Sequence, residues 1–249
     1  MLRRVLKYIR DNKLLDTGEK VLVCVSGGAD SVALLDVLLR GGYECVAAHC
    51  NFHLRGEESM RDERFVRQMC EEKGVRLEVR DFDTHSAAND IGRSIEMTAR
   101  LLRYGWFEET AKKHSCKCIA VAHHQNDQAE TLIMNLRRGA GIRGLCGMRP
   151  KSVNPCGEMD VIRPLLCTTH DYIIHYLRDI RHLQWVEDST NSDTKIRRNS
   201  IREELSHYQK AEIEHIAQTA RIMQGYVDMI EGKDSIVARE VQTYENSRK

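Results

Sequence analysis

Two hydrophobic patterns alternate along the first half of this chain. Residues 20–25 (KVLVCV), 44–49 (ECVAAH), 75–82 (VRLEVRDF) and 117–122 (KCIAVA) are short runs rich in apolar or β-branched residues. They predict strands, the first two buried and the first closed by Gly27-Gly28. Between them apolar residues recur every three or four positions, the spacing of one helix face. Helices are expected over 29–40, ended by Gly41-Gly42, and over 57–73, with Phe65, Val66, Met69 and Cys70 inward and Gly74 as the stop. Two more are expected over 94–114, striped by Ile95, Ala99, Leu102 and Trp106, and over 125–138, with Ala129, Leu132, Ile133 and Leu136 inward. The N-terminal MLRRVLKYIRDNKLL also reads as a helix.

Strands interleaved with helices of this length imply an α/β fold. The expected architecture is a doubly wound parallel sheet of about five strands, with helices on both faces and right-handed crossovers. Beyond residue 138 the pattern loosens. Residues 139–159 are expected as a long loop, 161–162 as a short strand stopped by Pro164, and 171–181 as a helix with Tyr172, Ile173, Tyr176 and Leu177 inward. A polar loop over 187–198 precedes a helical tail over 199–232. The expected division is a compact domain over 1–198 and a tail or linker over 199–249, which packs on the domain, forms a homodimer, or leads towards a further region.

Composition narrows the function classes. The chain has 249 residues, 41% hydrophobic and 30% charged, enough for a substantial core. A net charge of +1 means that any basic surface must be local. No apolar stretch reaches the roughly 20 residues needed to cross a bilayer, and the N-terminus lacks a signal-peptide pattern. No membrane is expected as partner, and the cytoplasm is the expected compartment. Nine cysteines occur without a CxxC pair, which argues against a zinc or iron–sulfur site.

Ser26-Gly27-Gly28-Ala29-Asp30-Ser31 sits between a predicted strand and a predicted helix. Glycines let the backbone approach a ligand closely, and the helix start points unpaired N–H groups and a positive dipole end at it. A phosphate is the natural occupant, so all six residues are candidate nucleotide binders. Asp30 cannot favour a bare phosphate by charge, so it is the candidate Mg²⁺ ligand. A Walker-type GxxxxGK[ST] and a dinucleotide-binding GxGxxG are both absent.

A second motif, Ala122-His123-His124-Gln125-Asn126-Asp127-Gln128-Ala129-Glu130-Thr131, begins where the fourth strand ends. Ligands of doubly wound sheets bind beyond the carboxyl ends of the strands, and strand four is expected beside strand one. Both motifs then face one crevice, with Asp127 and Glu130 on the helix face opposite Ala129 and Leu132. Such carboxylates can hold a cation or act as a base. Alone, the pair reads as a solvated helix face and His123 as a hydrogen-bonded core residue. Beside SGGADS the functional reading is preferred.

SGGADS matches the phosphate loop of the PP-loop ATP pyrophosphatases. The ordered set of motifs resembles one family within them, the tRNA(Ile)-lysidine synthetases. Besides SGGADS and AHHQNDQAET, the set comprises His49 to Ser59 (HCNFHLRGEES) and a helix bearing Ser94, Glu96, Ala99, Arg100, Arg103 and Tyr104. Arg138 to Met148 (RGAGIRGLCGM) and a late segment from Asp188 to Arg202 complete it. Together these span about residues 20 to 205. Phe52-His53 stands where the family often has His-Gly, and Asn126 where an acid is frequent.

The resemblance implies an adenine nucleotide alpha hydrolase-like fold and two chemical steps. Oxygen on carbon 2 of the wobble cytidine in a CAU anticodon loop attacks the α-phosphate of ATP, and pyrophosphate leaves. The ε-amine of free lysine then attacks carbon 2, and AMP leaves. ATP, Mg²⁺, lysine and tRNA(Ile) are the implied ligands. Asp30, Arg100, His123, Asp127 and Glu130 are the implied catalytic residues, with Asp127 or Glu130 taking the lysine proton. Two local basic clusters are candidate RNA contacts: Arg137, Arg138 and Arg143, with Arg149 and Lys151 nearby, and Arg197, Arg198 and Arg202. The nearest rival is a PP-loop tRNA thiolation enzyme, which the lack of CxxC disfavours. Many family members continue into further tRNA-binding domains, so the tail is expected to lead towards a missing or reduced one.

Overall fold

A computed structural model describes residues 1–187, 197–233 and 236–247, the side chains of 197–199 and 244–247 apart. Its strands are β1 (Lys20–Cys24), β2 (Glu44–Asn51), β3 (Arg76–Asp81), β4 (Cys118–Ala120), β5 (Lys151–Val153) and β6 (Asp160–Ile162). They form one sheet in the order β3-β2-β1-β4-β6-β5. β5 pairs antiparallel with β6, and every other pairing is parallel. The chain therefore winds outward from β1 in both directions, and β1 pairs directly with β4, Val21 opposite Cys118 and Val23 opposite Ala120. The switch in winding direction at the β1–β4 boundary is where such sheets open a ligand crevice.

Alternation along β1 explains the helices on both faces. Val21 and Val23 are buried on one side against Val5 and Ile9 of α1 (Leu2–Asp11), Leu34 and Leu38 of α2 (Ala29–Arg40), and Val66 of α3 (Glu57–Glu72). Leu22 points the other way, into a cluster with Val46, Ile119 and Val161 and with Trp106, Phe107 and Ala111 of α5 (Ile95–Lys113). Each valine, leucine, isoleucine or phenylalanine side chain among them contributes about 1.5–3 kcal/mol by leaving water.

Several expectations need correction. Residues 83–92, for which no element was expected, hold α4 (Thr84–Ile91), whose N-cap Asp83 accepts from the Ser86 amide and whose C-cap is Gly92 at φ 68°. The expected loop over 139–159 contains α7 (Ile142–Leu145) and β5, a strand too short and too exposed to leave a hydrophobic signature. Leu136, expected inward on α6 (Gln125–Arg137), is 55% exposed, as is Ile95 at 39% at the start of α5. The expected helix over 171–181 is α8 (His170–His175) followed by a π-helical turn over Tyr176–Arg181.

The tail comprises α9 (Arg197–Ser206), α10 (Lys210–Ile230) and α11 (Ile236–Ser247). Gln209 and Glu212 form a reciprocal capping box that starts α10 afresh. α9 and α10 pack back on α6, where Ile201, Leu205 and Ile213 bury Ala129. No helix among the described residues is long and apolar enough to cross a membrane.

Candidate active site

The phosphate loop is held by its own serines. Gly27 sits at φ 96°, a conformation open mainly to glycine. The Ser31 hydroxyl donates to the Gly28 carbonyl at 2.9 Å and accepts from the Ser26 amide at 3.2 Å. The Gly28 amide donates to Ser26 Oγ at 3.3 Å, and the Val186 amide donates to the Gly27 carbonyl at 2.9 Å. The amides of Gly27, Ala29 and Asp30 have no acceptor among the described residues. They are the donors left for a ligand at the start of α2.

Asp30, in the first turn of α2, meets two histidines. His170 Nδ1 lies 2.9 Å from its Oδ1, and His124 Nε2 lies 3.5 Å from its Oδ2. Burial by itself would raise the Asp30 carboxyl, but the hydrogen bonds and charge of His124 and His170 outweigh it and hold the group well below the usual carboxylate range. His124 is the N-cap of α6, and its Nδ1 accepts from the Asn126 amide at 3.2 Å. Its Nε2 proton therefore points between Asp30 and Asp127, each 3.5 Å away. Burial opposes a second proton on this ring, but Asp127, Asp30 and Glu130 favour it and raise the pKa to about 9. The capping bond on Nδ1 resists that protonation.

Asp127 and Glu130 are brought together, both buried. Asp127 Oδ2 accepts from the His124 amide at 2.9 Å, completing the capping box, and its Oδ1 lies 3.7 Å from Arg202. Glu130 Oε1 accepts from Arg202 Nε at 2.7 Å. The cation between the two carboxylates is thus Arg202 of α9. Glu130, Asp30, His124, His170 and Arg202 line one open cleft of about 730 Å³.

Across the phosphate loop lies a smaller cavity of about 290 Å³ at the ends of β1 and β2, lined by Ser26, His49, Phe52, Arg55 and Arg103 among others. His49 is fixed by a 2.8 Å bond between Nδ1 and the Val25 carbonyl. Arg103 lies over the Phe52 ring at 5.0 Å. Of the Phe52-His53 pair, Phe52 thus faces this cavity, and His53 turns outward to Asp81 at 2.7 Å.

Other predicted residues lie elsewhere. Arg100 is exposed on α5, over the Tyr104 ring at 4.9 Å, and is absent from the lining of either cavity. His123 is half-buried just before the cap, and His124 takes the place in the cleft. Arg137 pairs with Glu204, Arg143 with Glu231 at 3.0 Å, Arg149 with Asp228 at 2.8 Å and Lys151 with Asp160 at 2.8 Å, while Arg138 is exposed. The side chains of Arg197 and Arg198 and residues 188–196 of the late motif lie outside the described residues. His170 escaped sequence reasoning. Its one local signal is Thr169, which caps α8 by accepting from the Tyr172 amide, and nothing local links it to Asp30, 140 positions away.

Asp30 suits Mg²⁺, which is commonly held by one or two carboxylates with phosphate oxygens and water. The ligand atoms of Asp30, His124 and His170 lie within 4.8 Å of one another, and the two nitrogens suit softer cations better than Mg²⁺.

A family model described as a PP-loop domain matches residues 1–223. Among solved structures, a U34-tRNA thiolase from Methanococcus maripaludis, determined with its [4Fe-4S] cluster, superposes with a TM-score of 0.67 at 17% identity, covering 90% of this chain and 78% of its own. An NH3-dependent NAD synthetase from Campylobacter jejuni gives a TM-score of 0.50 at 12% identity, covering 90% and 94%. These two share the fold. A tRNA(Ile)-lysidine synthase of Bacteroides thetaiotaomicron is 52% identical over 200 residues, 80% of this chain and 45% of the relative. Another, from Chlorobaculum tepidum, is 39% identical over 239 residues, 91% of this chain and 70% of the relative. The chain spans about half the length of the first curated relatives it matches. With the phosphate loop, the His124 cap and the buried carboxylates lying inside that shared stretch, the chain belongs to the PP-loop family and, within it, to the tRNA(Ile)-lysidine synthases.

Proposed function

We propose that this chain uses ATP to join lysine to carbon 2 of the wobble cytidine of a tRNA(Ile) with a CAU anticodon. The observation that carries the reading is a phosphate loop with unused amides, opening on two cavities, in a chain 39–52% identical to proteins of that name. In this reading the nucleoside of ATP enters the cavity at β1 and β2, beside Phe52 and Arg103. Its β- and γ-phosphates lie on the amides of Gly27, Ala29 and Asp30. Cytosine and lysine share the cleft on the Asp30 side.

Oxygen on carbon 2 of the cytosine attacks the α-phosphorus, pyrophosphate leaves, and the base is adenylated. The lysine ε-amine then loses a proton and attacks carbon 2, and AMP departs. Mg²⁺, when bound at Asp30, neutralises phosphate charge. His124 and His170 keep Asp30 ionised and fix its orientation. Glu130 lines the cleft, whereas Asp127 is occupied by the cap, so Glu130 is the proposed acceptor of the lysine proton and Asp127 the residue that positions the start of α6. Arg202 orients Glu130. Arg100 stands outside the cleft, and its proposed partner is the incoming RNA.

The test is incubation with ATP, Mg²⁺, radiolabelled lysine and tRNA(Ile) transcript, followed by counting label on RNA. Incorporation that requires ATP and the wobble cytidine is expected. Pyrophosphate release dependent on tRNA without incorporation would redirect the second step to another nucleophile, such as sulfur. The absence of both signals would overturn the reading.

A further inference from the structure

Arg163 follows β6 and leads into the turn Pro164–Cys167. It is buried, at 8% exposure. Its Nη1 donates to the Arg149 carbonyl and to Ser152 Oγ, both at 2.9 Å. Among the described residues its buried Nε has no acceptor, and no carboxylate forms an ion pair with it. Buried guanidinium groups are ordinarily matched by an acid, because desolvation of an unpaired charge is costly.

The surroundings deepen the imbalance. Arg163 lines a cavity of about 420 Å³ together with Arg143, Arg149 and Lys233. The acids at hand are Glu231, 3.0 Å from Arg143 and 2.6 Å from Lys233, and Asp228, 2.8 Å from Arg149. Four cations thus face two carboxylates. The rim is open, the side chains of Arg143 and Lys233 being 82% and 60% exposed. No residue lining this cavity lines the cleft at Asp30 or the cavity at β1 and β2.

We propose that this cavity is a phosphate subsite for the RNA backbone, with Arg163 at its floor and Arg149, Arg143 and Lys233 around the anion. An excess of positive charge suits singly charged phosphodiesters. An open rim suits a polymer passing over it. The subsite rests on the reading that RNA is the substrate, and it places a backbone contact away from the reacting base, where it sets position and not sequence.

The experiment measures binding of labelled tRNA(Ile) to the full chain over a salt series, for wild type, the double variant R143A/K233A, and Arg163→Met. Each backbone phosphate neutralised adds roughly 0.7–0.9 to the slope of log affinity on log salt. The double variant is expected to bind about tenfold or more weakly at low salt, with the slope reduced by about one to two. Arg163→Met is expected to lose RNA affinity while its Tm holds or rises, since the side chain removed is an uncompensated charge. A purely structural arginine would instead lower Tm and leave the affinity of the folded protein unchanged, which would overturn the proposal. Inorganic phosphate, titrated in a thermal-shift arm, should raise the Tm of wild type more than that of Arg163→Met. That shift with unchanged RNA binding in both variants would assign the cavity to a free anion and overturn the RNA subsite. Wild type that binds tRNA while all variants match it removes the subsite alone. Wild type without salt-dependent tRNA binding removes the substrate reading and the subsite together.

Discussion

Asp30 carries more partners than its place in a glycine-rich loop suggests. It is flanked by His170 from α8 and by His124 from the cap of α6, and both act to keep it charged. A carboxylate so held is prepared for a cation before any ligand arrives. Asp30→Ala should therefore cut tRNA-dependent pyrophosphate release by about 10²–10³-fold, the scale of losing one preorganised electrostatic group. Full release in that variant would remove Asp30 from the chemistry. Glu130→Gln should behave differently, sparing pyrophosphate release and depressing lysine incorporation. Equal losses in the two assays would undo the separation of roles between Asp30 and Glu130.

At the scale of elements, two carboxylates act as ties. Glu108 of α5 is buried and accepts from Asn154 Nδ2 at 2.8 Å, from the Glu158 amide at 3.0 Å and from the Met159 amide at 3.3 Å. It thereby fastens the β5–β6 turn to the helix beneath. Burial opposes its charge, but Lys112 and these donors prevail and lower its pKa to about 2. The folded pKa lies below the unfolded value of about 4.3, so the stability this group adds is full above that value. It is lost as pH falls from about 4.3 towards about 2. Glu108→Gln should lower Tm at neutral pH and flatten the acid limb of a Tm-against-pH curve; an unchanged limb would assign acid sensitivity elsewhere. The second tie is Glu130 with Arg202, joining α6 to α9. Arg202→Ala leaves a buried carboxylate behind. Because the arginine side chain is 39% exposed, the expected loss is about 1–2 kcal/mol, below that for a fully buried pair. Denaturant unfolding measures it directly.

At the scale of the whole molecule, the helical tail is part of the site's scaffold. α9 supplies Arg202 to the cleft, and Ile201, Leu205 and Ile213 bury the apolar side of α6, whose first turn holds His124 and Asp127 in place. Gln224 of α10 also donates to the Met148 carbonyl at 2.9 Å, bracing the loop that follows α7. A chain ended after residue 208 keeps α9 but loses α10, and is expected to expose the part of α6 that Ile213 and its neighbours cover, to aggregate on heating, and to bind ATP more weakly than the longer chain. Equal solubility and affinity would show that the first 208 residues form an independent unit.

The winding of the sheet was legible in the sequence because its cause is local. Uninterrupted apolar runs must be covered on both faces, so strands alternating with amphipathic helices leave little freedom besides strand order. The phosphate loop was legible for the same reason, since a glycine that must take φ 96° and the serines that bind it lie within six residues. β5 was not, because three mostly exposed residues carry no periodicity and gain their strand geometry only from pairing with β6. The union of Asp30 with His170, the pairing of Glu130 with Arg202, and the acid beside most of the loop arginines are long-range facts. Each depends on which helix ends converge beyond β1 and β4. A residue's charge is written in the chain, but whether that charge is spent on a neighbour or left for a ligand is decided by packing. Arg202 and Arg163 show both outcomes: the first, on a basic stretch, is bound to Glu130, and the second, in a bland IRPLL run, is buried with no carboxylate paired to it among the described residues.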